Sequence, residues 1–451
     1  MAPGTRLFTK ALGVIYLIAF VSFGVQADGL IGSRGILPVG NYLEAARGAL
    51  GARAYWAAPT LFWINSSDAA LRAAWIAGAV LAVVLILGFR RRACLAGLLV
   101  LYLSVSTAGQ DFWSFQWDIL LTETGFLAIF LDATPGRVWL FRWLLFRLMF
   151  MSGVVKLTSG DPTWRNLAAL DYHYWTQPLP TPMAWYMFQL PGWFQRISTG
   201  LVLAVELGAP FLIFAPRKWR RTGAGLLIGL QFVILLTGNY TFFNWLTIAL
   251  CGLLFVERPA PGGPAPTRKH GAVTAVLIAL VLTASGLQFL DMFGVRLGSA
   301  RLYLTVIAPF RIVNTYGLFA VMTTTRPEIV VQGSNDGTNW QTYEFRYKPG
   351  DVKRAPPWVA PYQPRLDWQM WFAALGPVQD SPWFYNFAGR LVEGSKAVTG
   401  LLEHDPFPEG GPRYLRAVEY DYRFTNWAER RSTGAWWTRE EKGLWARFAR
   451  R

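Results

Sequence analysis

Cysteine is almost absent from this chain. Its 451 residues include two, Cys94 and Cys251. Each lies beside or inside an apolar run without CxxC spacing, which excludes a disulfide scaffold, a thioredoxin-like dithiol and a cysteine zinc site. Histidine is nearly as scarce: His173, His270 and His404 are far apart and form no metal-ligand pattern. No P-loop, GxGxxG, HExxH, GxSxG or HxE…PCxxC arrangement occurs. The expectation is therefore no metal and no cofactor. Charge is thin as well, with 16% of residues ionic.

Apolar residues fill the space these leave. Hydrophobic types make up 53% of the chain and the mean hydropathy is +0.28, the composition of a membrane protein. The net charge of +16 raises the question of a nucleic-acid partner. Position answers it: the cations cluster at the ends of apolar runs, where they act as topology signals, so no nucleic acid is expected.

A spanning helix needs about twenty mostly apolar residues. About nine such stretches are present, at 9–27, 70–89, 93–108, 117–132, 138–157, 198–215, 222–238, 242–256 and 271–291. The first resembles a signal peptide but lacks a clear small-x-small cleavage site, and is read as an uncleaved span. With the N-terminus inside, Arg6, Lys10, Arg90, Arg91, Arg92, Arg137, Arg142, Arg217, Lys218, Arg220, Arg221, Arg258, Arg268 and Lys269 all fall in inner segments. The longer outer loops are poorer in cations, which predicts N-terminus in and everything after about residue 292 outside. The Pro- and Gly-rich stretch 259–270 becomes a cytosolic linker. The aromatic loops 28–69, 109–116, 158–197 and 238–243 fall on the outer face.

Beyond Arg311 the pattern turns to short β-rich runs at 317–323, 327–334, 339–347 and 414–424, with Asn335-Asp336-Gly337 as a tight turn. Residues 383–402 read as an amphipathic helix. The expected architecture is a polytopic α-helical membrane bundle (1–291) with extracytoplasmic loops 28–69 and 158–197. An extracytoplasmic β-rich, sandwich-like domain follows (292–425), then a basic-aromatic tail (426–451) suited either to a membrane surface or to packing on the domain.

Glu123, Arg147 and Glu206 lie inside spans, each roughly 9–15 Å below the outer surface at about 1.5 Å rise per residue. An isolated charge there is costly, so the three are expected to meet. They form either an Arg147 clamp between two carboxylates or a substrate or proton site. In the outer loop 156–182, Lys156 and His173 are weak catalytic candidates, since no nucleophile or metal set accompanies them. Asp171 and His173, two residues apart, can pair only if the segment is not helical. Trp164, Arg165, Asp171 and His173, together with Arg365, Asp367 and Trp368 of 361–372, are candidate partner-binding residues. Asn65 and Asn239 head glycosylation sequons.

The segments GQDFWSFQWDILLTETGF (109–126), RLMFMSGVVKL (147–157), GDPTWRNLAALDYHYWTQPLPTPMAWY (160–186), GNYTFFNW (238–245), NTYGLFAVMTTTRPEIVVQGSNDGTNW (314–340) and PYQPRLDWQMWFAAL (361–375) closely resemble the lipase maturation factor family. The likeness runs from about residue 10 to 425. It implies a multi-pass membrane protein that helps secreted lipases or other exported proteins fold and assemble, with clients and membrane lipids as partners. In eukaryotic relatives the membrane is that of the endoplasmic reticulum. An Arg- and Ala-rich composition points instead to a bacterial inner membrane, with the C-terminal domain outside the cytoplasm. Both cysteines lie on or in the membrane, which excludes thiol exchange. The membrane half also distantly resembles the vitamin K-dependent carboxylase bundle. The alternatives are thus a membrane-embedded enzyme or a lipid-handling protein.

Overall fold

The computed structural model describes residues 3–132, 135–256 and 268–450. Most of the linker 259–270 lies outside them. Nine helices correspond to the expected spans: α1 (Pro3–Gly24), α2 (Asp68–Leu87), α3 (Arg91–Ala108), α4 (Gln116–Phe130), α5 (Pro135–Thr158), α6 (Gly192–Leu212), α7 (Arg217–Thr237), α8 (Phe243–Gly252) and α9 (Arg268–Met292). Among the described residues six are long and apolar enough to cross a membrane, namely α1, α2, α3, α5, α7 and α9. Helices α4 and α8 are shorter, and α6 carries Gln195, Arg196 and Glu206.

Local chemistry sets the helix ends. Ser67 caps α2 by accepting from the Ala70 amide, and Gly88, at φ 91°, closes it by donating to Leu85 and Val84. Only a residue that tolerates the left-handed region serves there. Helices α1 and α2 pack along each other because small residues face large ones. A Cβ on Gly78 would collide with the Phe20 ring, and one on Gly24 would stand 2.5 Å from Trp75. Such close backbone approach takes the place of the hydrophobic drive that lipid cannot supply.

The nine helices alternate in direction. The C-terminal ends of α1, α3, α5, α7 and α9 gather at one end of the bundle with the N-terminal ends of α2, α4, α6 and α8. Contacts to a common set of segments demonstrate this. Gln26 beyond α1 accepts from the Arg365 amide, and Asp118 in the first turn of α4 binds Arg365. Asn239, just before α8, accepts from the Val359 amide, while Gln288 near the end of α9 donates to the Val313 carbonyl.

On that end sits the C-terminal domain. Strands β1 (Pro327–Ser334), β2 (Gln341–Tyr343), β3 (Tyr414–Phe424) and β4 (Trp437–Ala449) form one antiparallel sheet in the order β2-β1-β3-β4. Asp336 shapes the β1–β2 turn by accepting from the Thr338 and Asn339 amides, and Gly337 takes φ 81°. Helices α10 (Arg365–Ala373) and α11 (Pro382–Val392) back the sheet. Trp383, Phe384, Phe387, Ala388 and Leu391 form the buried stripe of α11.

Three expectations are corrected. The domain is one sheet backed by helices, not two facing sheets, because its inner face finds apolar cover from α10 and α11. Residues 317–323 form no strand. Their backbone instead stitches the domain to the bundle, with the Gly317 amide donating to Gln116 Oε1 and the Met322 amide to Asp161 Oδ2. Residues 426–450 are not a separate tail. Asn426 and Glu429 form a capping box for a short helix, Trp427–Thr433, and the following residues become the edge strand β4, which pairs with the whole of β3.

Candidate functional site

The seam between bundle and domain holds most of the buried charge. Arg147 on α5 pairs with Glu123 on α4, and both are fully buried. Glu123 Oε2 accepts further from the Asn314 amide (3.0 Å), Asn314 Nδ2 (3.0 Å) and Tyr316 Oη (2.9 Å), while Arg147 donates to the Asn314 carbonyl (2.9 Å). The pair is thus closed by the chain entering the domain. Glu206 is not part of it, which corrects the expected three-residue clamp: Glu206 pairs with Lys156 at 2.8 Å. Lys156 was read as a loop residue, but α5 continues to Thr158 and carries its ammonium inward.

A second lock joins Asp118 and Arg365. The guanidinium grips the carboxylate at two points, 3.0 and 2.8 Å, lies 3.5 Å from the centre of the Trp113 ring and donates to the Phe112 carbonyl; Tyr102 Oη donates to the same carboxylate at 2.5 Å. Planar bidentate pairing with stacking is what arginine does and lysine cannot. Asp367 does not pair with Arg365. It accepts from the Tyr347 and Lys348 amides, and burial pushes its carboxyl up. Trp368 packs against Trp117 and Tyr240. Arg365, Asp367 and Trp368 are all buried, so none is available to a partner in this structure; they build the seam. A further buried cluster, Arg326 with Glu328 and Lys348, ties β1 to the carbonyls of Trp175 and Pro178.

The outer-loop candidates divide. Arg165 is exposed and reaches the Leu157 carbonyl. Asp171 and His173 share the short helix Ala169–Thr176, so they point apart and cannot form an oriented carboxylate–imidazole pair. Trp164 is buried, donates to the Phe319 carbonyl and lies under the Lys156 ammonium at 5.2 Å. His173 Nε2 stands 3.3 Å from Tyr240 Oη. Burial, aided by the Lys156 charge, lowers the imidazole pKa to about 4 and keeps it neutral. Asn239 cannot serve as a glycosylation acceptor in this fold, being buried with its amide donating to the Pro357 carbonyl.

Lys156, Glu206, Trp164, His173 and Tyr240 converge on a half-enclosed cavity of about 110 Å³, walled mainly by apolar residues of α5, α6 and α7. Sequence reasoning named Lys156, Trp164 and His173 in one loop but placed Glu206 with Arg147 instead, and it missed Tyr240, Gln231 and Asn244. Gln231 and Asn244 are neutral side chains inside apolar runs and give no signal of their own, while Tyr240 is one aromatic among several in the loop 238–243. It also missed Asp118, whose place at the head of an apolar run passes for a helix-start carboxylate. No group of three or more potential metal-ligating side chains occurs among the described residues.

Fold and site define a class: a multi-pass helical membrane protein with a sheet domain locked onto one end of its bundle by buried ion pairs. Residues 4–260 match the lipase maturation factor transmembrane domain, and residues 312–446 match the lipase maturation factor C-terminal domain. The chain belongs to the lipase maturation factor family. It is 36% identical to lipase maturation factor 2 of Gallus gallus over 96% of this chain and 80% of that protein. It is 35% identical to lipase maturation factor 1 of Bos taurus, over 96% and 86%, and 33% identical to lipase maturation factor 2 of Homo sapiens, over 96% and 81%. No solved structure matches it.

Proposed function

We propose that this chain is a membrane-bound maturation factor for secreted lipases, acting on client chains outside the cytoplasm. One observation carries the reading: both halves of the family's architecture are present in one chain, and the sheet domain packs on the end of the bundle where the elaborate loops collect. The inner side of the membrane is assigned from the cations. Arg91 and Arg92 open α3, and Arg217, Lys218, Arg220 and Arg221 open α7. Cations at a helix N-terminus oppose the macrodipole, so helix stability gives no reason for them and retention on the cytoplasmic side does. In a bacterial cell the domain then faces away from the cytoplasm across the inner membrane. In a eukaryotic cell it faces the endoplasmic reticulum lumen.

Client contact is assigned to apolar groups the domain leaves exposed: Trp358, Phe372, Leu375, Tyr385 and Trp427. Exposed aromatics of this kind suit transient holding of partly folded chains. The test is coexpression with a secreted lipase, measuring specific activity of the exported enzyme. Wild type should raise it, Tyr385→Ser with Trp427→Ser should lose most of the gain, and Lys156→Ala or His173→Ala should keep it. Loss only with the latter pair would favour a membrane enzyme. Deleting the whole domain is a poor control, because it strips Asp118, Glu123 and Arg147 of their buried partners.

A further inference from the structure

The cavity beside Lys156 is built for something more than packing. A single water needs about 10–15 Å³, and this space offers about 110 Å³. It spans the last turns of α5 and α7, from Leu148 and Leu230 outward, so at about 1.5 Å per residue it lies within roughly 15 Å of the outer helix ends. Of its lining residues Val233 on α7 is exposed, and Val202 on α6, Ile234 on α7, His173, Leu318 and Phe319 are half-buried. Val233 is 50% exposed on a helix that crosses the membrane, so the mouth opens sideways into lipid.

The polar end of the cavity has a definite hydrogen-bonding character. Gln177 donates its amide to the Tyr174 and Thr237 carbonyls, which leaves Gln177 Oε1 to accept the Tyr240 hydroxyl proton at 2.7 Å. Tyr240 therefore has only an acceptor to offer His173, and the imidazole must carry its proton on Nε2. His173 Nδ1 is then a bare acceptor, and it has no partner. Asn244 spends its amide on Gln231 Oε1 at 2.8 Å, and its own Oδ1 is buried without a partner. Lys156 is engaged by the Ser152 carbonyl and by Glu206, so the pair brings no net charge. Glu206 Oε2 faces the Lys156 ammonium at 2.8 Å, which leaves two neutral acceptors unmet; with no uncommitted cation and an apolar mouth facing lipid, they describe the ligand that would fit. It brings hydroxyl hydrogens, carries no charge and trails a hydrocarbon chain.

We propose that this cavity binds a neutral single-chain lipid with free hydroxyls, of the monoacylglycerol class. The hydroxyls donate to His173 Nδ1 and Asn244 Oδ1, and the acyl chain leaves past Val233. A fatty-acid carboxylate is disfavoured, because it brings no donor and meets an already neutralised lysine. The proposal does not depend on the client reading above.

The test is photolabelling of the full chain, purified in detergent, with a monoacylglycerol carrying a diazirine in its acyl chain, followed by peptide mapping. Labelling is expected at residues 202–206 and 230–237. It should be competed by unlabelled monoacylglycerol at least tenfold better than by the matching fatty acid. Val233→Trp, a substitution at an exposed position, should block the mouth and abolish labelling while the thermal midpoint stays put. His173→Phe and Asn244→Leu should each weaken it severalfold. Labelling that is absent, that survives Val233→Trp, or that fatty acid competes equally well would overturn the proposal.

Discussion

Breaking the Asp118–Arg365 lock gives the sharpest test of how the two halves are joined. Arg365→Met leaves the Asp118 carboxylate buried with only Tyr102 as a partner, and removes the stacking on Trp113 and the bond to the Phe112 carbonyl. Orphaning one member of a buried pair costs about 3–5 kcal/mol. Asp118→Leu should cost a similar amount by stranding the guanidinium. The double variant, Asp118→Leu with Arg365→Met, places two apolar groups of similar volume face to face. It should recover most of the loss, since a well-packed apolar replacement of a buried pair is often neutral. The protein carries its own reporter: Cys94 and Cys251 are both buried, so a thiol-reactive fluorophore signals unfolding on heating. Each single variant should lower the midpoint by several degrees, and the double variant should lie closer to wild type than either. A double variant as unstable as the sum of the singles would refute the reasoning.

Other outcomes follow from the same geometry. Glu123→Gln should destabilise wild type by about 2 kcal/mol or more but much less in an Arg147→Met background, read by the same thiol assay, because the charge it neutralises is then already unpaired. For His173 the folded pKa lies at about 4, below the ordinary 6.5. The unfolded chain therefore binds the extra proton between those values, and stability falls as pH drops from 6.5 to 4, by at most about 3 kcal/mol. The decline should be shallower in His173→Phe when midpoints are compared across that window. Gly125→Ala should destabilise strongly, read by the same thiol assay, since its Cβ would collide with Tyr16 Oη where α1 meets α4.

Which parts of this molecule are legible from sequence follows from the range of the forces involved. Span positions come from hydropathy averaged over a whole helix, and all nine expected stretches coincide with helices. The β1–β2 turn and strand β3 rest on local pattern and turn chemistry, and both were found where expected. Pairing of buried charges is different, because it depends on how each helix is rotated and how far it extends. Lys156 met Glu206 because α5 stays helical to Thr158 and turns the ammonium inward toward α6. Arg365 met Asp118 across 247 positions that no pattern connects. Strand β4 was missed because the edge strand is exposed from Thr438 to Lys442, and inward-facing side chains return only with Trp445 and Phe448, which pack on Phe384. Residues 317–323 had strand-like composition, but their amides were claimed by Gln116 and Asp161.

The central claim is that the sheet domain meets client chains outside the cytoplasm. The most direct measurement places a photo-crosslinking amino acid at Tyr385 or Trp427 on the domain, and at Arg221 at the opposite end of the bundle, during export of a lipase. The account predicts crosslinks to newly exported, inactive lipase from the two domain positions and none from Arg221. Crosslinks from Arg221 alone, or none from the domain while lipase activity still depends on this protein, would contradict it.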